Sequence, residues 1–320
     1  MVGFNVININ CTRNNIKILV LIPEIDNSTE THLEYVLLNN SNPCARTCVQ
    51  NSPPMICRYQ LKLEWYHTLS KACYDCPFNS SDCFRPDCVP GDGYKRPVIA
   101  VNRRMPGPLI EVCQGDIIVA DVTNMLGSEG TTVHWHGQHQ RNYPYMDGVP
   151  YVTQCPILPH NTFRYTFKAE QTGTHFWHSH LGMQRADGAF GALIVRGPEE
   201  EDPHFQFYDY DLLSHVIMIL DWEKETGMEK FLAHHHNNDE NKPTTILVNG
   251  LGRFTEFYDE NNETIYIPTA RFTVEQGYRY RFRVINAGFL NCPIEVSVDD
   301  HTLKVISSDG SDIVPVEGKK

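Results

Sequence analysis

The sequence predicts an all-β chain of tandem Greek-key β-sandwiches, and three observations carry that expectation. From about residue 94, short β-branched runs alternate with Gly, Pro and Asp turn signals. Phe163–Lys168 alternates apolar and polar side chains residue by residue, the period of a half-buried strand. No stretch of helical period interrupts the pattern.

Residues 1–43 are polar and Asn-rich and read as a leader with a flexible arm. Their apolar run Ile18–Ile22, behind Arg13 and Lys17, is short for a signal-peptide core of ~7–15 residues. Residues 44–93 are a cysteine-rich disulfide segment in which Gln60–Tyr66 alternates as a strand. A first domain is expected over 94–197, with strands at Val98–Val101, Leu109–Val112, Ile117–Val122, 131–137, Phe163–Lys168, 174–180 and Ala189–Val195. A long loop, Gln138–His160, separates the fourth and fifth of these. The acidic run between Pro198 and Pro203 reads as a linker. A second all-β domain is expected over 205–320, with strands at His215–Asp221, Thr245–Asn249, Arg271–Glu275, Tyr278–Asn286, Ile294–Val298 and Thr302–Ser307. The chain stops shortly after the last of these, so this domain is expected to be incomplete.

A length of 320 residues suits about two domains. The net charge of −12 argues against nucleic acid or an anionic membrane as partner. No apolar run approaches the ~18 residues of a membrane span. Seven of the 11 cysteines fall between Cys44 and Cys88, the density of a disulfide framework. Cys73-x-x-Cys76 followed by Cys83 and Cys88 is the spacing of an alternative, a zinc knuckle. Asn-x-Ser/Thr sequons at Asn10, Asn27, Asn39, Asn79 and Asn262 favour disulfides and a secreted, extracellular chain. The odd count leaves one thiol over, and Cys11, far from the cluster, is the expected spare.

The chemistry concentrates in Thr132-Val133-His134-Trp135-His136-Gly137 and Phe176-Trp177-His178-Ser179-His180. On a strand, His134 and His136 project to one side, as do His178 and His180, while Trp135, Trp177 and His175 point the other way. Four imidazoles on two strand ends can converge on a metal such as copper, zinc, iron or nickel. His139 and His175 are left outside this set. His234-His235-His236 reads as an exposed polar loop.

The two His-x-His motifs resemble the first two copper signatures of the multicopper oxidases, and their context resembles the insect laccases. Ser70–Pro77, Val101-Asn102-Arg103 into Pro106-Gly107-Pro108, Tyr145–Pro150 before Thr153–Ile157, Leu247–Gly250 and Val284–Gly288 carry the same likeness, which runs from about Cys44 to Glu317. The resemblance implies cupredoxin (plastocyanin-like) domains, three in the whole family member. A mononuclear type 1 copper in the third takes electrons from a phenol, and a trinuclear cluster reduces O2 to water. Carried over, His134 would bind the type 2 copper, His136 and His178 one type 3 copper, and His180 the other. Asp147 matches an acidic residue near the cluster, where a carboxylate can orient water and relay protons. Asp147-Gly148 is equally a strong turn dipeptide, and the two roles can coexist.

The family's third and fourth signatures, a His-Pro-x-His-x-His and a His-Cys-His, do not occur in the 320 residues. Cys155 and His160 have the spacing of a copper Cys and His, but Pro156 and Pro159 lie between them and Cys155 stands where the resemblance implies a disulfide. The expectation is therefore the N-terminal part of a laccase-like oxidase of diphenols or catechols, with O2 as acceptor, inactive without the type 1 site. The alternative is a short secreted copper-binding or interaction protein without turnover.

Overall fold

The computed structural model describes residues 42–237, 242–290 and 293–318, and the backbone of 5–11 and 16–22. In chain order the strands are β1 (Asn5–Cys11), β2 (Ile16–Ile22), β3 (Ile56–His67), β4 (Pro97–Val101), β5 (Ile110–Cys113), β6 (Ile117–Met125), β7 (Val133–His136), β8 (Thr162–Lys168), β9 (Gly173–Ser179) and β10 (Phe190–Arg196). There follow β11 (Val216–Trp222), the helix α1 (Gly227–Asn237), β12 (Thr245–Val248), β13 (Phe257–Tyr258), β14 (Thr264–Ile265), β15 (Arg283–Asn286), β16 (Ile294–Val298), β17 (Leu303–Ser308) and β18 (Ser311–Gly318).

The first sandwich packs sheet β4-β3-β6-β8 on sheet β5-β10-β9-β7. β3 runs parallel to β6 and β5 parallel to β10, while the remaining pairs are antiparallel. The strand expected at Gln60–Tyr66 is longer and lies in the middle of a sheet, so the cysteine-rich stretch supplies part of this sandwich. Between the sheets, Trp135 lies opposite Trp177 in register. The Trp135 ring sits 5.4 Å from Tyr165 and 5.0 Å from Phe167. Trp177 is accommodated by missing side chains: a Cβ on Gly107 or Gly191 would lie 2.5 or 2.4 Å from its ring.

β10 is buried from Phe190 to Val195, and β11 along its whole length. That is the run expected of a strand covered on both faces. The outward residues Phe176, Phe190, Ala192 and Ile194 pack against Val216, Met218, Leu220 and Trp222 of the second sandwich, whose main sheet is β12-β11-β15. Charges seal the same junction. Arg196 pairs with Glu111 and Asp211, and Arg283 of β15 pairs with Asp211 and donates to Thr174 of β9 at 2.8 Å.

The cysteines pair as Cys44–Cys57, Cys48–Cys113, Cys73–Cys88 and Cys76–Cys83. Cys73, Cys76, Cys83 and Cys88 are thus cystines, and the zinc-knuckle alternative falls. Asp116, fully buried, accepts from Arg46 and from the backbone N–H groups of Met55 and Cys113, fixing the incoming arm to the start of β6. Cys155, placed at a disulfide position by resemblance, is instead exposed and unpaired among the described residues. The Cys11 side chain, expected as the spare thiol, lies outside them.

Three further segments differ from the sequence reading. Within 1–43, read as leader and flexible arm, β1 pairs with β2 and adds antiparallel to β16. Arg271–Glu275 is not a strand, although Phe272 is buried in the second core. α1 was not expected. Thr226 caps it: its Oγ1 accepts from the Glu229 N–H, and the Glu229 carboxylate accepts from the Thr226 N–H at 2.8 Å. His234–His236 therefore occupy a last helical turn, where imidazoles face the negative end of the helix dipole, rather than a loop.

Gly191→Ala should lower the unfolding free energy by about 2 kcal/mol through overpacking against Trp177, read by urea denaturation. A change below about 0.5 kcal/mol would show that the ring yields more easily than the packing implies.

Candidate metal centre

The β7–β9 register sets the geometry. His134 lies directly opposite His178, and His136 opposite Phe176, so these four rings share one face of the sheet. His180 follows the end of β9, its N–H donating to Thr132 O at 3.2 Å. The His134 ring centroid lies 5.6 Å from that of His136, 5.4 Å from His178 and 5.3 Å from His180. The ligand atoms of His134, His136 and His178 all fall within 4.8 Å of one another. Phe176 stacks on His136 at 4.6 Å and limits the directions that ring can face.

Backbone carbonyls select the tautomers. Asp147 O accepts from His134 Nδ1 at 2.7 Å, and Ser179 O accepts from His178 Nδ1 at 2.8 Å. With Nδ1 protonated, each Nε2 carries a lone pair. Nε2 of His178 is buried with no hydrogen-bond partner in the described structure, an orphan acceptor of the kind a metal satisfies. Burial lowers the pKa of His136 and His180, with His134 adding to the effect, and pushes His178 down to about 3. The neutral imidazole these shifts favour is the form that ligates metal. The donor set therefore fits a first-row transition ion that prefers nitrogen, copper among them.

Contacts behind the imidazoles hold this arrangement. Gly148 adopts φ +80°, and a Cβ there would lie 1.9 Å from Val133 O, so the Asp147-Gly148 turn sits directly against β7. The turn presents the Asp147 carbonyl to His134 and leaves the half-buried carboxylate 3.4 Å from the same Nδ1. Gln184 clamps the two motifs together. It accepts from Ser179 Oγ at 2.7 Å and Thr131 Oγ1 at 2.8 Å, and donates to Gly130 O at 2.9 Å. His178 is buried while His136 and His180 are exposed, so the cluster opens on one side. There His136 borders a cavity of about 1870 Å³ that is also lined by Phe176, Arg185 and residues of the second sandwich.

The structure thus brings His134, His136, His178 and His180 together with Asp147 at their edge. His139 is exposed. His175 lies on the other face, its Nε2 directed at the carbonyls of Gln171 and Thr172 and its ring closed in by Gly137 and Gly310. Cys155 and His160 are both exposed and stand apart from the histidine group. Sequence reasoning missed Gln184 and Arg185. The only signal was their place in Gln184-Arg185-Ala186-Asp187, directly after the second motif.

A Greek-key sandwich that presents clustered imidazoles from two neighbouring strands defines a cupredoxin-type metal domain. Two family profiles described as multicopper oxidase match residues 85–200 and 214–319. Laccase-2 of Botryotinia fuckeliana is 38% identical over 229 residues, covering 70% of this chain and 37% of that protein. Laccase-1 of Thanatephorus cucumeris is 37% identical over 232 residues, covering 71% and 39%. Among solved structures, the laccase of Botrytis aclada aligns with a TM-score of 0.62 at 32% identity over 84% of this chain and 44% of that one. Fet3p, a multicopper oxidase that functions in iron import, gives 0.61 at 25% identity over 82% and 42%. The chain belongs to the multicopper oxidase family, on its laccase-like side, and copper is the metal of that family. It spans less than two fifths of the length of these curated relatives.

Gly148→Ala should weaken copper binding about tenfold by displacing the Asp147 carbonyl from His134, read by copper(II) titration with far-UV circular dichroism unchanged. A second expectation concerns pH. His178 protonates near 6.5 when unfolded but only near 3 when folded. Between those values the unfolded state binds more protons, so stability is whole above 6.5 and lost as pH falls. His178→Gln should therefore flatten the fall in stability of the copper-free chain between pH 6.5 and 4, and an unchanged slope would sink the assignment.

Proposed function

We propose that the chain carries one half of the trinuclear copper site of a secreted, laccase-like oxidase. In this reading the enzyme oxidises diphenols or catechols to quinones and reduces O2 to water. The observation that supports it most is the orphaned, buried Nε2 of His178, set among three other imidazoles on the paired motif strands. His134 takes the type 2 copper, His136 and His178 share one type 3 copper, and His180 takes the other.

When bound, copper supplies the one-electron redox steps by which electrons from a phenol reach dioxygen. The chain's own residues hold and tune it. Ser179 O and the Asp147 carbonyl fix which nitrogen would face the metal, while burial keeps the His178 imidazole neutral. The half-buried Asp147 carboxylate, beside His134 and in reach of solvent, would orient water and relay protons on the open side of the histidine group. Four imidazoles are too few for three coppers, so the 320 residues alone are expected to bind copper without turning over phenols.

Secretion rests on the four cystines and on exposed sequons at Asn79 and Asn262. Asn27 and Asn39 lie outside the described residues, as does the Asn10 side chain. No helix among the described residues is long and apolar enough to cross a membrane.

The test has two parts. Copper(II) added to the 320-residue chain should give an electron paramagnetic resonance spectrum with nitrogen hyperfine structure, and no catechol-driven O2 consumption. In a longer protein carrying the family's remaining signatures, His136→Ala or His178→Ala should cut O2 uptake by at least about a hundredfold while phenol still reduces the mononuclear copper. O2 uptake near the parent rate in either variant would refute the ligand assignment.

A further inference from the structure

The loop that joins β9 to β10 carries a cation that the proposed function leaves unused. Arg185 lies between two anchored residues. Gln184 is tied to Ser179, Thr131 and Gly130. The Asp187 carboxylate accepts from the Gly227 N–H at 2.8 Å and pairs with the Arg96 guanidinium. Ala186, between Arg185 and Asp187, is buried. The loop backbone is thus held on both sides, and the Arg185 side chain lines the same cavity as His136 and Phe176.

Its guanidinium donates no hydrogen bond to any described residue. The carboxylate whose charge it feels, Asp221, is already occupied by the N–H groups of Phe289 at 3.0 Å and Leu290 at 2.6 Å. Arg185 is therefore a half-buried cation with free donors at the wall of the cavity that His136 and Phe176 also line. Its positive charge acts on His136, His178 and His180 across that wall.

A guanidinium with unused donors at the wall of a partly closed cavity is a strong partner for an anion, because charge-assisted hydrogen bonds are about twice as strong as neutral ones. Resting on the proposed copper site, we propose that Arg185 is its anion-attracting residue, binding a small monoanion on the His136 and Phe176 side. The same charge repels the metal cation. Arg185 thus acts in opposite directions on two equilibria: it weakens copper(II) binding and strengthens anion binding to the loaded site. A residue that merely supports the fold would move both affinities the same way when removed.

The experiment uses the copper-loaded chain with azide as probe, following the azide-to-copper charge-transfer absorption, alongside copper(II) affinity and thermal stability. Arg185→Gln should weaken azide about tenfold or more and tighten copper(II) severalfold, whereas Arg185→Lys should keep most of the azide affinity. Azide binding to Arg185→Gln within twofold of the parent overturns the inference. So does a joint loss of copper affinity, azide affinity and thermal stability. A parent chain that takes up no copper through its imidazoles overturns the proposed function, and this inference with it. Copper uptake with unchanged azide binding overturns the inference alone.

Discussion

The antiparallel pairing of β7 with β9 is the constraint on which the rest depends. Because side chains alternate with a period of two, one register does two tasks. It drives Trp135 and Trp177 between the sheets and turns His134, His136 and His178 out on the other face. A slip of one residue would bury imidazoles among apolar rings and expose two indoles, so the apolar core holds the polar site in register. Imidazole placement is in this sense a by-product of tryptophan burial, and the glycines that make room for Trp177 indirectly shape the candidate site.

The second sandwich is a buttress. It covers the outer face of β10 and β9 with Val216, Met218, Leu220 and Trp222, next to Phe176, which stacks on His136. Arg283 reaches across to Thr174 on the strand that carries His178. The strand that carries His178 is therefore packed against the first core through Trp177, packed against the second sandwich through Phe176 and tied near its start by a charged hydrogen bond. Such over-determination keeps lone pairs aimed at one point before any metal arrives.

Much of this was legible in the sequence because it depends on local period. Alternation in Phe163–Lys168 marks β8, and the unbroken apolar run before Arg196 marks a strand covered on both faces. The i, i+2 spacing puts each histidine pair on one side, but the meeting of the two pairs is a property of the sheet. Features decided by distant contacts were hidden. Gln184 joins two motifs far apart in sequence, and the need for Gly148 arises from a carbonyl on another strand. Arg271–Glu275 has strand composition, yet it stays irregular while Phe272 fills the core. The helix did leave a local sign, Thr226 followed by Glu229 at capping-box spacing, in a stretch otherwise too polar to show a helical stripe.

The cysteine-rich stretch belongs to both sandwiches at once. Its strand β3 is central in a sheet of the first, while Cys73, Cys76 and Cys83 sit in the core of the second. The two β units are therefore not modular. Neither can be excised, exchanged or shuffled between proteins without leaving the other with a hole, and cleavage in the acidic linker at 198–203 would leave the halves clasped. For a site that needs its imidazoles held to fractions of an ångström, such interlocking replaces the independence of two domains with the stiffness of one body.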